Sequence, residues 1–256
     1  MNRTTKTLAA LALVAATLVP AAALADRRNF TFIYEPKTLD KGQLEIEYYM
    51  TAAVTQDKLS GEHNWNWAHQ VEVEYGVTER FDLAMYQMFN TEGWLGYKLR
   101  ARFRPWHYGT LPFDLMLYLE WIQKPTGDIA LEERVVVGTT LFDKLYISLD
   151  TMVEQGPLTG DVGFKLHEGL GIGYEIAPWF VLGLETQLRF AWQPKDVFTA
   201  TGTDTELEFS GARLYMGPTL SFAVKKIWWD VNVSFRVAGE EDDTKYLFRV
   251  LWGIFL

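Results

Sequence analysis

Two sets of charged side chains occupy every second position in the first part of the chain. Glu45 and Glu47, Glu72 and Glu74, and Asp82 form an acidic set, whereas Lys98, Arg100, Arg102 and Arg104 form a basic one. A spacing of two puts each run on one face of an extended segment. If the segments are neighbours, an acidic wall stands beside a basic wall. In a wet interior such walls make a transverse field that orients dipolar or ionic solutes. In a dry interior the same residues pair across strands and close the space as a salt-bridged plug. Charges of the same parity continue downstream, with Arg134, Glu185, Arg189, Arg213 and Arg236 as further lining positions beside Asp150, Asp230 and Arg249.

Other chemistry finds little support. His63, His69, His107 and His167 are dispersed, and no Ser lies within two residues of any of them. A nucleophile and base would have to meet from remote positions, and His69 in aromatic surroundings reads as an interfacial residue. The spacing of metal-ligand clusters is absent, and Glu240 to Asp243 reads as a solvated acidic loop. No catalytic residue, metal site or cofactor is expected. The net charge of -9, with no concentration of Lys and Arg into an exterior patch, argues against nucleic acid.

The lining exists only if the segments carrying it are strands. Between Gln70 and Tyr86, Val71, Val73 and Tyr75 alternate with Gln70, Glu72 and Glu74. After a break at Gly76 to Glu79, Phe81, Leu83 and Met85 alternate with Arg80, Asp82 and Ala84. That pattern is an antiparallel hairpin with one apolar and one polar face. Matching the apolar faces across the break sets Glu74 opposite Asp82. The same unit recurs to the last residue, through segments near 94–104, 113–124, 131–141, 145–155, 164–176, 179–192, 210–223, 227–238 and 245–256. About twelve such segments, with short and long breaks alternating, predict an all-β fold, an up-and-down antiparallel transmembrane β-barrel. Gln193 to Glu208 and Thr55 to Asn64 read as long extracellular loops. Gly169, Gly171 and Gly173 face inward, and strand curvature is the reading favoured for them over room for a packed segment.

Arg3 and Lys6 precede an apolar run from Leu8 to Val19, and Ala23-Leu24-Ala25 precedes Asp26, the order of a cleaved secretory signal peptide over 1–25. Residues 26–42 are expected as a periplasmic lead-in that lies under the barrel or tucks into its mouth, and 43–256 as the barrel. The chain has 10 Trp, 12 Tyr and 16 Phe and no Cys. Its aromatics fall into two belts, one with Trp65, Trp67, Trp121, Trp192 and Tyr246, the other with Tyr75, Trp106, Tyr108, Trp179, Trp228 and Trp229, as at two bilayer interfaces.

The stretch YEPKTLDKGQLEIEYY at Tyr34 to Tyr49, together with EYGVTERFDL at Glu74 to Leu83, resembles a family of porin-like Gram-negative outer-membrane β-barrel transporters. The final strand, with Tyr246, Phe248, Val250, Trp252, Ile254 and Leu256 on one face, resembles the C-terminal strand read by barrel-insertion machinery, with the usual terminal aromatic displaced to Phe255. These resemblances imply a fold and an outer-membrane location, and no catalytic residue. The expected partners are outer-membrane lipids, that machinery and, through an open lumen, small solutes. The leading functional expectation is a narrow channel for passive passage of small polar or charged solutes. The alternatives are a non-conducting scaffold barrel with a salt-bridged interior and, more remotely, a membrane-embedded hydrolase.

Overall fold

The computed structural model describes residues 27–56, 62–160, 162–199, 202–239 and 244–256, without the side chains of 196–199 and 202–204. The expected signal peptide, most of the loop after residue 56 and the acidic loop Glu240 to Asp243 lie outside the described residues.

Twelve strands follow in order: β1 (Leu44–Gln56), β2 (His63–Thr78), β3 (Phe81–Asn90), β4 (Gly93–Phe103), β5 (Asp114–Gln123), β6 (Ile129–Leu141), β7 (Leu145–Gly156), β8 (Gly163–Ala177), β9 (Phe180–Thr199), β10 (Gly202–Val224), β11 (Ile227–Ala238) and β12 (Tyr246–Phe255). Each pairs antiparallel with its successor, and β12 returns to β1 with Glu45 opposite Phe255 and Val54 opposite Tyr246. Closure leaves no strand edge unpaired, which a structure surrounded by hydrocarbon requires.

The alternation dictates which way each side chain points. On β2, Val71, Val73 and Tyr75 are exposed on the outside while Glu72 and Glu74 are buried inside. On β5, Leu117, Leu119 and Trp121 face out, and Met116, Tyr118 and Glu120 face in. A continuous apolar exterior of this kind is far larger than a water-soluble monomer exposes, and it is the face a barrel presents to lipid. Rings gather at both rims. At the end carrying the termini of the described chain, Arg27 and Leu256, Phe222 stacks between Phe180 and Trp229, at 5.0 and 5.6 Å between centroids. At the opposite end Trp192 packs on Phe164 and Phe209.

Several expectations change. β2 runs on past the expected break to a turn at Glu79–Arg80, with a bulge between Gly76 and Thr78, so Glu74 faces Ala84 and Asp82 faces Gly76; the like-charge pair is not directly opposed. Trp228 leaves its belt: it points inward, is fully buried, and donates its indole N–H to Glu45 at 2.5 Å. The stretch 193–208 is not a loop, because β9 and β10 run on as a paired hairpin to Thr199 and Gly202. That extension has a polar residue on either parity, with Gln193 opposite Glu208 and Lys195 opposite Glu206, so no apolar alternation marks it as strand.

Residues 27–42 lie within the barrel, entering and leaving at the end that carries the termini. Phe30 is fully buried against Gly171, Gly173 and Gly183, and Ile33 lies against Gly169. A Cβ at Gly171 would stand 2.9 Å from the Phe30 ring. The inward glycines therefore make room for a packed segment, contrary to the curvature reading. At the rim the segment closes on β2, with Gly42 N–H donating to Gly76 O at 2.7 Å and Gly76 N–H to Gln43 O at 3.0 Å.

Placing a charge on the lipid face tests the assignment of faces. Leu119→Arg, midway along β5, is expected to destabilise the barrel by roughly 2–4 kcal/mol in denaturant unfolding from phospholipid vesicles. A change near zero would place that face in water.

Candidate functional site

The acidic and basic walls meet because β1 to β4 are neighbours, and they neutralise one another. Arg100 on β4 lies 2.6 Å from Glu72 and also pairs with Glu74, with its guanidinium near Tyr86. Arg102 grips Asp82 through Nε at 2.9 Å and Nη2 at 2.8 Å, and its Nη2 also reaches Glu74. Bidentate guanidinium contacts match carboxylate geometry and fix both partners. Glu72, Glu74 and Asp82 are at most 1% exposed and Arg100 3%. The Tyr49 hydroxyl lies 2.5 Å from Glu47 and 2.7 Å from Glu72, and Arg28 donates to Tyr49 at 2.9 Å.

The other predicted lining residues divide by what they touch. Lys98 turns to Glu120 at 2.7 Å, one strand further on, and Arg104 donates to Thr38 Oγ1 at 2.8 Å and to the Glu79 carbonyl. Arg134 on β6 joins Glu132 at 2.8 Å and Asp150 at 2.6 Å. Arg213 and Arg236 are half-buried on β10 and β11, nearer the opposite end from the termini, and Arg213 is in register with Arg189. Carboxylate oxygens of Glu45, Glu47 and Glu74 come within 4.8 Å of one another. Trp228, Tyr49 and the two arginines already engage them, so the cluster does not call for a cation.

Glu185 has a different task. Its carboxylate accepts hydrogen bonds from three successive backbone amides, Thr31 at 2.8 Å, Phe32 at 2.6 Å and Ile33 at 3.1 Å, and from the Thr31 and Thr219 hydroxyls. A concave run of N–H groups is a natural anion seat, and here it holds the tip of the internal segment to β9. Asp150 accepts from Tyr34 N–H at 3.0 Å, Ser148 donates to Tyr34 O at 2.6 Å, and Ser221 donates to Arg28 O at 3.0 Å.

Beyond this tip, away from the termini, the lumen opens into a cavity of about 230 Å³. Phe32, Ile33 and Tyr34 form its floor, and Lys98, Arg134, His167, Gln187, Arg189 and Arg249 contribute to its wall.

No protein-family model matches the sequence, and no curated protein sequence matches it. Solved structures do. The COG4313 outer membrane channel from Pseudomonas putida F1 superposes with a TM-score of 0.64 at 11% identity, over 89% of this chain and 100% of that one. The two share a closed antiparallel β-barrel fold. The KdgM porin in complex with disordered oligogalacturonate and the NanC porin each give a TM-score of 0.55, at 12% and 9% identity, over 82% of this chain and 98% of theirs. With the closed ladder and apolar exterior, this fold makes the chain an outer-membrane β-barrel.

The sequence does not single out the inward aromatics Tyr49, Tyr86 and Tyr118 or the carboxylates Glu120 and Glu132, and it assigns Trp228 to an outer belt. Parity was a usable signal for most of them, since Tyr49 shares its face with Glu45 and Glu47, and Glu120 stands between outward Leu119 and Trp121. Nothing in the sequence announced that Arg28, Thr31 and Tyr34 would face these groups from inside.

Replacing Arg100 and Arg102 together by Ser leaves Glu72, Glu74 and Asp82 buried without their cations. A loss of about 3–5 kcal/mol, or more because two arginines are removed, is expected in unfolding experiments, with a lower temperature of the heat-modifiable gel shift. An unchanged transition would mean that these charges face water.

Proposed function

We propose that the protein is a narrow channel for small polar or charged solutes whose path is closed, in this state, by its own residues 27–42. The observation that carries this reading is the manner of closure. The interior is filled by a segment that runs on into β1 and is seated through hydrogen bonds to polar wall residues, with Glu185 at its tip. Hydrogen bonds of this kind contribute modestly to net stability because water replaces them when they open. Removal of the segment exposes a polar lining that water can wet. The likeness in fold to outer-membrane channels supports the same reading, as does the cavity beyond the tip.

In this reading both termini face the periplasm, a cleaved signal peptide precedes the segment, and the final strand is what insertion machinery recognises. It includes no catalytic step: His69 is engaged by the Tyr48 hydroxyl at 2.7 Å on the outer face, and His107 lies 3.5 Å from Glu79 at the rim. The second reading is a non-conducting scaffold barrel, favoured by the fully buried ion pairs among Glu72, Glu74, Asp82, Arg100 and Arg102.

Planar-bilayer recordings separate the two. The full chain is expected to show small or intermittent conductance. Deletion of 27–40, and Glu185→Gln in the full chain, should each raise the open probability or the step size. A folded, heat-modifiable deletion variant that passes no current would leave the scaffold reading in place.

A further inference from the structure

We infer that the cavity beyond the tip of the internal segment is a binding site for a small organic anion, a monocarboxylate of the size of one sugar acid. This rests on the channel reading for its biological sense, and on the cavity's own chemistry for its evidence. The inward carboxylates of the cavity are paired, Glu120 with Lys98 and Glu132 and Asp150 with Arg134, with Asp150 Oδ1 left without a hydrogen-bond partner. Arg189 and Arg249 have no such partner; among the described residues neither makes an ion pair. Arg249 donates to Thr51 Oγ1 at 2.8 Å and to Thr31 O at 3.2 Å, with its guanidinium 4.0 Å from the Phe32 ring centroid. Arg189 lies over Tyr215 at 5.1 Å and stands in register with Arg213, a like charge on the next strand.

Unused donors point to what would complete the site. Arg189 donates through Nη2 to Gln187 Oε1, which fixes the amide with its nitrogen turned away from the guanidinium. Gln187 is 5% exposed, and both its Nε2 and Arg189 Nε are buried without a partner. A buried donor left unmatched is costly, and two of them beside uncompensated guanidinium charge ask for an acceptor that carries negative charge. A carboxylate offers two charged acceptor oxygens, which suits the Arg189 and Arg249 guanidiniums that line the cavity. At about 230 Å³ the cavity is below the size of most drug-like pockets, which restricts the occupant to a small molecule.

The test is isothermal titration calorimetry on the full-length protein in detergent with sodium D-glucuronate, and D-glucose as the neutral control. Glucuronate is expected to bind and glucose not to. Arg189→Gln and Gln187→Leu should each weaken binding by about tenfold or more, and Arg189→Lys should restore part of it. Without ligand, the heat-modifiable transition of Arg189→Gln is expected to stay level or rise, because a charge facing Arg213 is removed. Absence of glucuronate binding to the parent, equal binding of glucose, or undiminished binding by folded Arg189→Gln and Gln187→Leu would each overturn the site. A lowered unliganded transition in Arg189→Gln with unchanged affinity would make Arg189 structural. Conductance without binding defeats the site and leaves the channel reading; binding with no conductance in any variant does the reverse.

Discussion

A closed antiparallel sheet of twelve strands encloses more space than its own inward side chains fill when many of them are glycine, serine and threonine, and every polar group inside must still find a partner. The contact between Glu185 and the amides of Thr31, Phe32 and Ile33 meets both demands together. It gives the carboxylate a set of donors and fixes the internal segment at mid-lumen. The other contacts follow from that seat: Phe30 drops onto the glycines of β8 and β9, Tyr34 reaches Asp150, and Leu39 N–H reaches Asp82 at 3.2 Å on the way out.

The lumen is electrostatically uneven. Beside β1 to β4 the carboxylates and guanidiniums form a closed ion-pair network whose members are buried and satisfied largely by one another. Such a network adds little net stability over an apolar packing, but loss of one member is severe. Arg189 on β9 faces the cavity from across the barrel and Arg249 on β12 from beside β1, both with aromatic rings and neutral acceptors as neighbours.

Much of the barrel was legible because membrane and lumen impose opposite chemistry on successive residues of every strand. Where both parities are polar, as from Gln193 to Glu208, that signal is missing and a paired hairpin has the sequence pattern of a loop. At the β2–β3 hairpin, hydrophobic matching gives the right faces but a register two residues out, because a period of two cannot tell apart registers that differ by two and β2 runs on to a turn at Glu79–Arg80. The charged lining was legible as an inward set. Which cation serves which anion was not, as Lys98 shows by turning away from Glu72 to Glu120.

The sequence by itself determined the architecture: alternation, aromatic belts and the inward charges are properties of single strands, and one chain read in order contains them. Only the tertiary structure decided what the interior does. Residues 27–42 carry no periodic signal, and their place depends on Glu185, Asp150, Ser148 and Ser221, all more than a hundred positions away in the chain. Whether Gly171 curves a strand or receives Phe30, whether Trp228 lies in a belt or caps Glu45, and which arginines lack a carboxylate are facts about groups brought together across the lumen. No local pattern encodes them, since hydrogen bonds and ion pairs act through distance in space and the ring of twelve strands sets those distances only once it has closed.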